Sequence, residues 1–90
     1  MKELPDHLEL YKSTPIFTED TIPKGLLKQH NTKAGTWGEI VILEGEINYH
    51  ILSPYEVNYL NPQRTGIVEP QVYHQLELRG AVKLRIDFYK

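Results

Sequence analysis

The segment Val82-Lys83-Leu84-Arg85-Ile86-Asp87-Phe88-Tyr89 constrains the fold more than any other part of this chain. Val82, Leu84, Ile86 and Phe88 are apolar and alternate without a break with Lys83, Arg85, Asp87 and Tyr89. Successive side chains of a β-strand point to opposite faces, so this pattern predicts a strand with one face in a core and the other toward water. A helix would scatter the same apolar residues around its circumference. Two further segments carry the same signal. Ile47, Tyr49 and Ile51 alternate with Asn48 and His50, and His74, Leu76 and Leu78 alternate with Gln75, Glu77 and Arg79. The run Glu39–Leu43 is short, apolar and rich in β-branched residues, and Glu44-Gly45-Glu46 follows as a turn. Strand, glycine turn and strand predict a hairpin between Glu39–Leu43 and Ile47–Ile51.

No helical stripe of more than three turns is visible. Short strands with regular turn signals predict an all-β fold, a small antiparallel β-sandwich or β-barrel. Elsewhere the chain is punctuated by proline, which lacks a backbone donor and favours extended geometry in its predecessor. LPDHLEL fits a helical turn capped by Asp6. GLLKQHNT, from Gly25, reads as a strand or strand end. Residues 52–66 read as loop, with a short extended piece at YEVNYL. At 90 residues the whole chain, 1–90, is expected to form a single domain.

Composition narrows the function. There is no cysteine, which removes thiol chemistry, disulfides and cysteine-based zinc sites. A small core without disulfides leaves metal binding and oligomerisation as sources of added stability. The formal net charge of -2 comes with no basic cluster, so no nucleic-acid groove is expected. No apolar run is long enough for a membrane span, and MKELPDHLELYK is too polar for a signal peptide. A cytoplasmic protein is the resulting expectation. No nucleophile elbow, phosphate loop or glycosidase carboxylate pair is recognisable.

The least generic stretch is His30-Asn31-Thr32-Lys33-Ala34-Gly35-Thr36-Trp37-Gly38, which contains the only tryptophan and one of four histidines. HNTKAGTWG, then IVILEGEINY, then VEPQVYHQLEL and a closing IDFY resemble the TehB-like (YeaR-like) family of small cupin-like domains, known from tellurite-resistance proteins. The likeness runs from about Tyr11 to Tyr89. It implies a cupin-like barrel of the double-stranded β-helix or jelly-roll type, with His30 and His74 facing its mouth. In two-domain relatives a methyltransferase domain using S-adenosylmethionine follows. That segment is not part of this sequence, so methyltransferase activity is not expected of it.

A full cupin metal site uses three histidines and a glutamate. Counting back from Gly45, the glutamate slot falls on Gly38. Glu39 is one residue off and would point to the opposite face unless a bulge intervenes. The paired-histidine positions fall at or near Asn31 and Lys33, where only His30 is available. Pro70 and His74 keep the second motif, and His74 lies on the apolar face of its strand. His30 and His74 are therefore the candidate metal ligands, for zinc, iron or manganese, completed by water, Glu39 or a bound ligand. Lys33 is a candidate anion contact. Trp37 is a candidate ligand-stacking residue, with ordinary packing as its alternative. His50 sits on a polar face and is expected to be solvated.

Three functional readings follow. The first is a small binding module for a metal ion, a small molecule or an oxyanion at the barrel mouth. The second is a metal-dependent cupin-type isomerase or oxygenase. The third is an accessory domain without chemistry that forms a homodimer through Tyr55, Tyr59, Tyr73 and Tyr89, since tyrosine is enriched at interfaces.

Overall fold

A computed structural model describes all residues 1–90. The chain forms β1 (Leu10–Ser13), β2 (Phe17–Thr18), a 3₁₀ turn (Lys24–Leu27), β3 (Trp37–Glu44), β4 (Ile47–Leu52), β5 (Tyr55–Leu60), β6 (Gly66–Val68), β7 (His74–Leu78) and β8 (Lys83–Tyr89). The fold is all-β. One sheet has the order β1-β8-β3-β6, with β2 also pairing β8, and the other has the order β5-β4-β7. Every pairing is antiparallel.

The alternation read from the sequence sets which faces meet. Ile40, Ile42, Leu84 and Ile86 come from the first sheet, and Ile47, Tyr49, Ile51, Leu60 and Leu76 from the second. All belong to one buried cluster. Ile47, Leu60 and Leu84 are wholly inaccessible to solvent. Burying side chains of this size contributes about 1.5–3 kcal/mol each relative to exposure. Gly66 of β6 packs directly on the second sheet, where a Cβ would lie 2.6 Å from Leu60 Cδ1 and 3.0 Å from Tyr49 Cδ2. Tyr49 crosses this layer and donates its hydroxyl to the Ile67 carbonyl at 2.9 Å. Burial, with Glu69 and Glu56 nearby, raises its pKa well above the usual phenol value.

Three expectations are corrected. β3 and β4 are not a hairpin: β3 pairs with β6 and β8, and β4 with β5 and β7. The Gly45 turn carries the chain from one sheet to the other. Gly45 adopts φ +83°, and a Cβ there would collide with the Ala81 carbonyl oxygen and press on Val82. GLLKQHNT is not a strand, because Lys24–Leu27 is a 3₁₀ turn. Adjacent residues of a strand face opposite ways, whereas this turn lets Leu26 and Leu27 both pack on the core. YEVNYL is a full strand, β5, hydrogen-bonded along its length to β4.

Candidate functional site

His30 and His74 meet through their backbones. An isolated antiparallel bridge joins them, with His30 N donating to His74 O and His74 N to His30 O, each at 2.9 Å. Directly opposed residues on antiparallel segments place their side chains on the same face. His74 also stands opposite Ile51, a core residue of β4, so that face is the inner one. The rings lie 4.1 Å apart, centroid to centroid, at 62°. Tyr49 packs edge-on against His74 at 5.8 Å.

The two motifs are stitched together around this pair. Thr32 Oγ1 donates to Thr36 O at 3.0 Å and lies 3.4 Å from Glu69 O. Gln71 N donates to Thr32 O at 3.0 Å. Gln71 holds φ 63°, a left-handed conformation uncommon for a residue with a side chain. Thr32 and the turn at Pro70-Gln71 thus fasten the HNTK loop to the segment leading into His74.

Hydrogen bonding fixes the chemistry the imidazoles present. His30 Nδ1 lies 2.8 Å from Lys28 O, and His74 Nδ1 lies 2.9 Å from Val72 O. A carbonyl oxygen can only accept, so each Nδ1 carries a hydrogen, and the neutral form of each ring keeps its lone pair on Nε2. Anchoring one ring nitrogen on a backbone carbonyl is how proteins orient a histidine that ligates through the other. No sealed side-chain nitrogen or oxygen lacks a partner. Both histidines line a cavity of about 350 Å³ between the sheets. His74 is only 3% exposed. Burial pushes its pKa down to about 4, with the Val72 hydrogen bond opposing and His30 adding to the shift. At neutral pH it is an uncharged imidazole, the form that binds a metal.

The rest of the cavity divides by chemistry. Leu26, Ile40, Val68, Leu76, Ile86 and Phe88 give it an apolar interior, and Asn31, Thr32, Lys33 and Thr36 line it from the HNTK loop. Lys33 is exposed and forms no ion pair; Lys2 and Lys83 are the lysines that do. Lys33 thus supplies positive charge, free of an ion pair, to the cavity that both histidines line.

Other candidates fall elsewhere. Trp37 does not line the cavity. It belongs to the set Trp37, Glu39 and Val41, which alternates with buried Gly38, Ile40 and Ile42, so it lies on the other side of β3. Glu39 cannot complete a metal site either. Its carboxylate accepts from Thr65 Oγ1 at 3.0 Å and from the Tyr89 hydroxyl at 3.3 Å. No bulge turns Glu39 inward, since β3 keeps regular register with β6 and β8 there. At Gly38 a Cβ would already lie 3.3 Å from Val68 Cβ. No group of three or more His, Asp or Glu side chains is arranged to hold a metal. The donor set consists of two imidazoles. His50, expected to be solvated, is instead bonded at both ring nitrogens. Tyr55 and Tyr73 are well exposed, Tyr59 is at the margin, and Tyr89 is partly buried and bonded to Glu39.

No helix is long and apolar enough to cross a membrane. Residues 12–86 match the model of the TehB-like domain. The chain is 32% identical, over 93% of its length, to the probable S-adenosyl-L-methionine-dependent methyltransferase TehB of Haemophilus influenzae strain 10810, and it spans 32% of that protein. It is 22% identical to the uncharacterized protein YeaR of Escherichia coli K12, over 99% of this chain and 83% of YeaR. The crystal structure of Haemophilus influenzae TehB superposes with a TM-score of 0.83 at 31% identity, covering 93% of this chain and 32% of that one. A crystal structure of an Escherichia coli K12 protein superposes with a TM-score of 0.90 over 100% of this chain and 97% of that one; at 20% identity this likeness speaks for the fold alone. With its two signature motifs joined at the His30–His74 bridge, this chain belongs to the TehB-like domain family.

Proposed function

We propose that this domain is a binding module that takes a small molecule or an oxyanion in the cavity between its sheets, with a divalent metal held by His30 and His74. One observation carries the reading. Both imidazoles spend their Nδ1 hydrogens on backbone carbonyls and line the same cavity, which leaves Nε2 as the uncommitted ring nitrogen of each. Two nitrogen ligands suit zinc, iron or manganese and leave coordination positions for an exogenous ligand. The bound metal would supply a positive centre for an anionic ligand. Lys33 would add a second positive charge from the rim, and the apolar interior would receive the rest of the molecule. TehB is named a probable S-adenosyl-L-methionine-dependent methyltransferase, but this chain spans only 32% of it, so that activity is not part of the proposal.

The test is thermal unfolding with zinc, iron(II) or manganese(II) added to chelator-treated protein. A ligand present at a hundred times its Kd stabilises the fold by about 2.7 kcal/mol. In a domain this size that amounts to a rise of roughly 10–20 °C in Tm. Wild type should show the rise, His30→Ala a much smaller one, and the His30→Ala/His74→Ala double variant none. An equal rise in all three would refute the metal reading. Lys33→Ala should weaken phosphate binding to the zinc-loaded protein while leaving zinc affinity unchanged.

A further inference from the structure

A second arrangement of reactive groups lies on the outer face of the β5-β4-β7 sheet, away from the cavity. His50 of β4 bridges two partners, with Nδ1 2.8 Å from the Tyr55 hydroxyl and Nε2 2.9 Å from Glu77 Oε1. The polarity of the chain follows from the acceptor at its end. The Glu77 pKa is held below the ordinary carboxylate value by its bonds from Asn48 and His50, so the carboxylate is ionised and can only accept. His50 therefore carries its hydrogen on Nε2. In the neutral imidazole the Nδ1 lone pair then accepts the hydroxyl hydrogen of Tyr55. Carboxylate, imidazole and hydroxyl stand in the order that activates the nucleophile of a hydrolytic triad, here with a phenol in place of an alcohol.

The sheet register builds this arrangement. Glu77 stands opposite Asn48 on the neighbouring strand, and His50 is two residues along the same face. Asn48 Nδ2 donates to the same Glu77 oxygen at 3.0 Å and steadies the carboxylate. Tyr55 pairs with Leu52 at the start of β5. The base is sheltered and the nucleophile open: the His50 side chain is 16% exposed, and Tyr55 is 64% exposed. Beside them runs a depression of about 470 Å³, lined by Leu27, Leu52 and Leu78 as well as by Gln75.

We propose that Tyr55 is a histidine-activated nucleophile that accepts an acyl group from an activated ester, with the apolar part of the acyl chain lying in the depression beside it. In this step Tyr55 Oη attacks the carbonyl carbon as its proton passes to His50 Nδ1. The tetrahedral adduct collapses, the bond from carbon to the leaving oxygen breaks, and the leaving group takes the proton from the imidazolium. The product is an aryl ester on Tyr55, with His50 and Glu77 returned to their starting state.

The experiment treats the full chain with p-nitrophenyl hexanoate and follows each tyrosine by peptide mass spectrometry. Tyr11 and Tyr73, 46% and 48% exposed, are internal standards without a histidine partner. A positioned general base contributes about 10²–10⁴-fold to a rate. Tyr55 should therefore acylate at least about tenfold faster than either standard. His50→Gln and Glu77→Gln should abolish that advantage while leaving the rates at Tyr11 and Tyr73 unchanged. Substituting the two positions separately on a water-facing surface keeps the test independent of folding, which far-ultraviolet circular dichroism verifies. Acylation of Tyr55 no faster than Tyr11 and Tyr73 in the wild type would overturn the proposal. So would a Tyr55 advantage that survives both substitutions.

Discussion

His74 makes the stability of the metal-free domain depend on pH between about 6.5 and 4.5, above the range in which the carboxylates with lowered pKa values lose their contributions. Its pKa is about 4 in the folded protein, against 6.5 for a free imidazole, because charging it inside the core is unfavourable. Between these values the unfolded chain binds a proton that the folded chain refuses, so acidification favours unfolding. The contribution is complete above pH 6.5, is lost as pH falls toward 4, and changes no further below that. Each pKa unit corresponds to 1.36 kcal/mol, so lowering the pH from 7 to 5 crosses most of 1.5 units and removes about 2 kcal/mol. Glu19, Glu56 and Glu77 have folded pKa values below 4.5, so their contributions decline only under more acidic conditions. Urea denaturation in chelator at pH 7 and pH 5, for wild type and His74→Gln, isolates the effect. Wild type should lose about 2 kcal/mol more than the variant over this interval. Equal losses in the two proteins would refute a neutral, buried His74.

Three substitutions test the packing that supports the site. Gly45→Ala should destabilise by more than about 2 kcal/mol in urea denaturation, because it forces a left-handed alanine and a backbone collision with Ala81 O. Gly66→Ala should cost about 1–3 kcal/mol by overpacking against fully buried Leu60 and Tyr49, and Leu60→Val in the same chain should recover part of that loss. Tyr49→Phe should cost about 1–3 kcal/mol by leaving the Ile67 carbonyl without its donor, again read from the shift in urea midpoint at constant m.

The strands were legible in the sequence because a period of two is a local property. Val82 to Ile86 alternates as expected, with Val82, Leu84 and Ile86 buried and Lys83 exposed; Asp87, expected to face water, is buried and bonded to Ser13 and Arg85. Strand pairing is not local. Glu44-Gly45-Glu46 has the composition of a hairpin turn, yet the strands on either side each find better partners among β5 to β8. A corner between sheets and a hairpin both use glycine at positive φ, so the local signal cannot separate them. The site was legible in part. The face of His74 follows from alternation, and the family signature pairs it with His30. The reciprocal backbone bridge that sets the rings 4.1 Å apart depends on the register of a segment with no periodicity of its own. His50 shows the same boundary from the other side. Alternation correctly puts it on the outer face, but its bond to Glu77 depends on how β4 and β7 align.

The central claim is that His30 and His74 present unprotonated Nε2 atoms to one cavity as a pair of metal ligands. Long-range proton–nitrogen correlation spectroscopy of the four imidazoles, taken at neutral pH before and after one equivalent of zinc, tests it most directly. Before zinc, His30 and His74 should both show the Nδ1–H tautomer, and His50 the opposite Nε2–H form. After zinc, the Nε2 resonances of His30 and His74 should move together while His50 and His7 stay in place. An Nε2–H tautomer at either His30 or His74, or a zinc response confined to His7 or His50, would contradict the account.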